Sequence, residues 1–142
     1  MYAGLFQKFL VSGDTLQVYQ GDRLVFFSNK DRLLPLLGYL DRFASRYRQV
    51  VVFDKIIGNA AALLFVRAGC REAYSPMGSQ LAIGTLKEHG IAYYFTEIVP
   101  CIQRPDGTDM CPMERLSIGK EPEEFYQVML NLVNEPRSQR MN

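Results

Sequence analysis

The chain has 142 residues, 48% of them apolar, with sixteen basic and fifteen acidic side chains and a net charge of +1. That size and composition suffice for one domain with its own core and no disulfide staples. The near-neutral balance excludes a broad electrostatic field that would gather nucleic acid or an anionic membrane surface.

In chain order, Leu5, Phe6, Phe9 and Leu10 recur at helical spacing before Ser12, Gly13 and Asp14, which predicts a short amphipathic helix over residues 2 to 11. Two β-rich runs then flank Gln20, Gly21 and Asp22, the composition of a hairpin with strands near 15 to 19 and 23 to 28. Asp31 is placed to cap a helix whose apolar face carries Leu33, Leu36, Leu37, Leu40 and Phe43, with Pro35 in its first turn.

The run "QVVVFD", residues 49 to 54, is almost continuously β-branched or aromatic and predicts a strand covered on both faces. A helix with the small residues Gly58, Ala60, Ala61 and Ala62 follows it and stops at Gly69. "EAYS" reads as a short strand, "PMGSQLAIGTLKEHG" as a helix with Pro76 near its start, and "IAYYFTEIV" as another strand. Alternating strand and helix implies parallel pairing through the middle of the chain. "PCIQRPDGTDM" is a loop, "CPMERLSIG" opens a helix with Pro112 at its first position, and "EPEEFYQVMLNLV" is the last helix. One domain is expected over residues 1 to 134, with a polar tail at 135 to 142.

Cys70, Cys101 and Cys111 are an odd number of widely spaced cysteines, which suits free thiols in a reducing compartment. The opening "MYAGLFQKFLVSGD", broken by Gln7 and Lys8, is unlike a secretory leader, and nothing approaches the roughly 18 apolar residues of a spanning helix. A cytoplasmic protein is expected.

Two places carry chemistry. Asp54 ends the buried strand and Lys55 starts the following turn, at the carboxyl edge where open α/β folds keep their ligand sites; the competing role for Asp54 is to cap the next helix. Cys111 falls at the N-cap of a helix, where free N–H groups and the dipole favour thiolate; the competing role pairs it with Glu114 in a capping box. Gly107, within "RPDGTDM", permits a turn whose N–H groups converge into an anion cradle, although Asp106 and Asp109 oppose an anion there. His89, the sole histidine, reads as a solvent-facing helix end, and Met77, Met110 and Met113 as core filler.

The stretches "DKIIGNAAALL" (54 to 64) and "VPCIQRPDGTDMCPMERL" (99 to 116), with the hairpin "LQVYQGDRLVFFS", resemble the domain-of-unknown-function 1893 family, small prokaryotic proteins with a cytidine deaminase-like fold. The resemblance covers nearly the whole chain. It implies an α/β protein, a three-layer α/β/α sandwich with a mixed sheet, and it implies that the starts of two helices converge. Zinc deaminases of that superfamily place a ligand and a catalytic glutamate at one such start and Pro-Cys-x-x-Cys at the other. By the resemblance, Asp54 stands near the first ligand position and Cys111 at a cysteine ligand, with Glu114 in place of the second cysteine. One thiolate and two hard oxygens beside a lysine make a poor zinc set, and no glutamate lies two positions after Asp54, so no zinc cofactor is expected.

Two functions follow as expectations. The first is a zinc-independent enzyme acting on a small, nucleotide-like molecule, with Cys111 as nucleophile, Lys55 stabilising charge, and Asp54 or Glu114 moving protons. The second is a noncatalytic domain that binds or senses a small anion through the same pocket. Lys55, Gly58, Asp106, Gly107 and Thr108 are the expected ligand contacts. The expected partner is a small molecule, without nucleic acid or membrane, and the aromatics of "FFSN" and "AYYF" leave a homodimer open.

Overall fold

The computed structural model describes residues 2–43 and 46–134, so the tail expected at 135 to 142 lies outside the described residues. Strands β1 (Leu16–Gln20) and β2 (Arg23–Ser28) form the expected hairpin, turning at Gly21 with a left-handed φ of 61°. Strand β1 also pairs antiparallel with β3 (Val50–Asp54), and β3, β4 (Cys70–Ser79) and β5 (Ala92–Val99) run parallel. The result is a mixed five-stranded sheet in the order β2-β1-β3-β4-β5.

Strand β3 shows why its sequence is apolar throughout. Val50 and Val52 belong to the larger core, under helices α2 (Leu34–Phe43), α3 (Asn59–Ala68), α4 (Gln80–Glu88) and α6 (Pro122–Asn134). Val51 and Phe53 point the other way, into a second cluster with Phe6 and Phe9 of α1 (Tyr2–Val11). These four residues are fully buried, as alternation across a sheet with helices on both faces demands. The fold is thus α/β in three layers, one of them a single helix. Helix α1 is tied down at both ends: the Tyr2 hydroxyl donates to the Gly21 carbonyl at 2.9 Å, and Lys55 reaches its C-terminal carbonyls.

Three expectations need correction. Helix α2 starts at Leu34 rather than at an Asp31 cap, because Arg32 adopts a left-handed φ of 62° that interrupts helical geometry. Asp54 does not cap α3, which begins at Asn59; in between, Ile57 bridges to Gly78, its N–H donating to the Met77 carbonyl at 2.9 Å. Pro76 lies inside β4 rather than in a helix. It interrupts the ladder there: Ser75 pairs with Phe95 and Met77 with Glu97 while Pro76 is skipped, and the Ser75 hydroxyl accepts from the Met77 N–H at 3.1 Å and donates to the Met77 carbonyl at 2.8 Å. Helix α4 then starts at the Ser79 cap, whose Oγ accepts from the Ala82 N–H at 3.0 Å. Gly78 is required by packing, since a β-carbon there would run into the Phe95 ring.

Candidate functional site

Glu114 is the best-held polar side chain near the expected site. It lies in the short helix α5 (Pro112–Ser117) and is only 2% exposed. Its Oε1 accepts from the Asn59 N–H at 2.6 Å, at the first turn of α3, and its Oε2 accepts from the Ile102 N–H at 2.8 Å. Gly58 makes room for it, because a β-carbon at residue 58 would stand 2.8 Å from Oε1 and 2.9 Å from an Ile102 side-chain carbon. A buried carboxylate facing a helix N-terminus is stabilised by those donors and by the dipole.

Around Glu114 the polar contacts form a closed set. The Asn59 side-chain amide donates to Ser117 Oγ at 3.0 Å and to the Ser117 carbonyl at 3.3 Å. Thr85 of α4 donates its hydroxyl to Asn59 Oδ1, and the Ser117 hydroxyl donates to the Glu114 carbonyl at 2.6 Å. Three helices are joined at one buried point. The helix starts do converge, as the resemblance implied, but the meeting place is filled by the protein's own side chains. Asn59, Thr85 and Ser117 were not marked from the sequence; the pointer available there is an asparagine directly after Gly58 at a helix start.

Cys111 is the N-cap of α5 and Pro112 its first residue, as expected. The capping box is not formed. The Cys111 N–H donates instead to the Ile102 carbonyl at 2.8 Å, Glu114 turns to α3, and the Cys111 side chain makes no cap bond. Cys111 and Cys101 are both partly exposed free thiols. Cys70 is buried, its Sγ donating to the Glu72 carbonyl at 3.1 Å, and burial pushes its thiol up to about 12.

Asp54 and Lys55 sit at the carboxyl end of β3 as expected. Burial raises the Asp54 carboxyl from its ordinary 3.8 to about 7, while the backbone N–H groups of Ile56 and Lys55 pull the other way, the bond from Ile56 being a long 3.4 Å. Lys55 turns toward α1, where Nζ donates to the Phe9 carbonyl at 3.2 Å and the Leu10 carbonyl at 3.0 Å and stands 4.6 Å from the centre of the Phe9 ring. Among the described residues, no hydrogen bond or ion pair links Asp54 or Lys55 to Cys111 or Glu114. Nor do three His, Cys, Asp or Glu side chains gather closely enough to hold a metal ion. With both Glu114 oxygens accepting N–H groups, Asp54, Cys111 and Glu114 do not fit a zinc ion.

The 106 to 108 stretch is an exposed turn. Asp106 Oδ1 accepts from the Thr108 N–H at 3.0 Å and from the Thr108 hydroxyl at 2.7 Å, bonds that hold the carboxyl below its usual range, while Gly107 supplies a φ of 73°. Asp109 pairs with Arg115 at 2.8 Å. The oxygen of Asp106 therefore takes the Thr108 N–H that an anion cradle would need.

One cationic concavity escaped the sequence reading. A groove of ≈ 280 Å³ runs between β2 and α2, floored by Phe26, Phe27, Leu34 and Pro35 and flanked by Lys30 and Arg42. Neither cation pairs with a carboxylate among the described residues. Lys30 and Arg42 are twelve positions apart in sequence, on a loop and a helix, and carried no common pattern.

This architecture, a mixed-sheet α/β domain with helices on both faces, is the class to which the chain belongs. Its residues 5–133 match the model of a family described as Domain of unknown function (DUF1893), and the chain is a member of that family. It is also similar to the crystal structure of a DUF1893 family protein from Thermotoga maritima, with a TM-score of 0.78 and 28% sequence identity over 90% of this chain and 84% of that one. No curated protein matches it.

Proposed function

We propose that the chain is a noncatalytic domain that binds a small anionic metabolite in the groove flanked by Lys30 and Arg42. The observation behind this reading is that Lys55 and Glu114, the amine and carboxylate a Cys111-centred reaction would use, are each committed to two backbone hydrogen bonds. Among the described residues Lys30 and Arg42 pair with no carboxylate, the Arg42 guanidinium standing 5.1 Å from the centre of the Phe43 ring, and both line an apolar floor with the exposed ring of Phe27 beside them. Ligand sites combine such a floor with a few convergent polar groups, and this volume suits a small organic anion. Calorimetric titration with benzoate, citrate and a nucleoside monophosphate tests the reading. Binding by one of them should survive Cys111→Ala and weaken at least tenfold in Arg42→Ala and in Lys30→Ala. Unchanged affinity in both cation variants would overturn it.

A second reading, a zinc-independent enzyme, draws on the Asp54 carboxyl, which titrates near 7 at the carboxyl edge of the sheet, close to where a general base works best. Asp54 and the partly exposed Cys111 are then its reacting groups. Turnover of a small substrate that vanishes in Asp54→Asn and in Cys111→Ala, with folding intact, would favour it over the binding reading.

A further inference from the structure

The two edges of the sheet differ in how they are protected. On β2 the pairing with β1 shifts register between Val18 and Tyr19, leaving Val25 as the extra residue of a bulge, and Arg23 begins the strand. Bulges and basic residues are common devices against edge-to-edge pairing. Strand β5 has neither. It runs eight residues, "AYYFTEIV", in unbroken register with β4, and Glu97 is its single charge. Its solvent-facing side chains include Tyr94, 51% exposed, and Ile98, 47% exposed. Among the described residues it is the last strand of the sheet, with no strand beyond it.

We infer that this edge of β5 pairs with the same edge of a second copy of the chain, antiparallel about a twofold axis, so that two five-stranded sheets become one. A strand's row of N–H and C=O groups is complementary to itself in that orientation, which makes a second copy the natural occupant. Charge excludes the register centred on Glu97. Centring the axis on Phe95 sets Tyr93 opposite Glu97, Tyr94 opposite Thr96 and Ala92 opposite Ile98, so the two Glu97 carboxylates do not face each other. Every exposed apolar side chain on the strand then gains a neighbour.

The surroundings supply area. Eight residues span about 26 Å, and a strip of that length across three layers, about 25 to 30 Å wide, approaches the roughly 800 Å² per partner of a standard interface. Beside β5, a groove of ≈ 510 Å³ between α1 and the strand is floored by Tyr74 and Tyr94, whose rings stack at 4.6 Å. Pairing lays the grooves of the two copies side by side.

Light scattering and native mass spectrometry of the full chain at high micromolar concentration test the inference. The expected mass is twice 16.2 kDa for the unaltered protein and for Phe27→Lys on β2, and 16.2 kDa for Thr96→Lys and for Ile98→Lys, each with unchanged circular dichroism. Two β5 variants are used so that a folding failure in one leaves the other decisive. An unaltered chain that stays monomeric overturns the inference. So does a dimer that survives both β5 substitutions, or one that Phe27→Lys dissolves.

Discussion

Glu114 and Asp54 are both acidic side chains beside the segment that leads into α3, and they are held in opposite ways. Glu114 is buried, with a close N–H donor on each oxygen and the head of α3 in front of it. Asp54 is partly buried at the end of β3, its bond from Ile56 a long 3.4 Å, and its carboxyl is pushed up to about 7. The difference teaches that burial alone does not decide what a carboxylate costs; the supply of donors does. The sequence offered both acids as catalytic groups, whereas the geometry makes Glu114 a tie between helices.

The sharpest break in that comparison is Glu114→Ala. It strips the acceptor from two buried N–H groups and separates α5 from α3, so unfolding free energy should fall by about 3–5 kcal/mol. Chemical denaturation measures this; a loss under 1 kcal/mol would mean that Glu114 is not the tie described. Glu114→Gln keeps one acceptor and should lose about half as much.

Asp54 should show the opposite sign. The unfolded chain releases the proton near 3.8 and the folded chain near 7, so the folded state binds it more tightly. The contribution of Asp54 to stability is therefore greatest below about pH 4, declines as pH rises toward 7 and is flat beyond. Asp54→Asn keeps an acceptor for the Ile56 N–H and removes the charge. Because Asp54 retains some solvent contact, it should stabilise the protein by about 2 kcal/mol at pH 8 and by almost nothing at pH 4. Melting temperatures across that range decide it, and a variant that parallels the parent at every pH would refute the assignment.

The smallest expected effect is at Lys55. Lys55→Met keeps the apolar stem and removes two hydrogen bonds and the charge over Phe9, for a loss of about 1–1.5 kcal/mol. If Lys55 served a ligand rather than α1, the substitution would abolish binding and leave the unfolding midpoint where it was.

Local chemistry was legible in the sequence. The hairpin turn at Gly21, the doubly covered strand β3, the Gly69 helix stop and the Cys111-Pro112 helix start all follow from neighbours a few residues apart. What was not legible depends on partners far along the chain. The Glu114 side chain meets an N–H 55 positions away, and Lys55 reaches carbonyls 45 and 46 positions away, so spacing could not reveal that both were engaged. Pro76 shows the other failure. Proline near a helix start is the commoner pattern, and here the strand carries it by skipping one pair of the ladder.

Helix α1 meets the rest of the molecule through one aromatic face and two pins, the Tyr2 hydroxyl on Gly21 and the Lys55 ammonium on Phe9 and Leu10. A cover held in so few places can lift as a unit while the larger core stays folded. Its amides should then exchange with solvent sooner than those of α3, and a protease that nicks the 12 to 15 connection would release the cover first, laying bare Val51 and Phe53 beneath it.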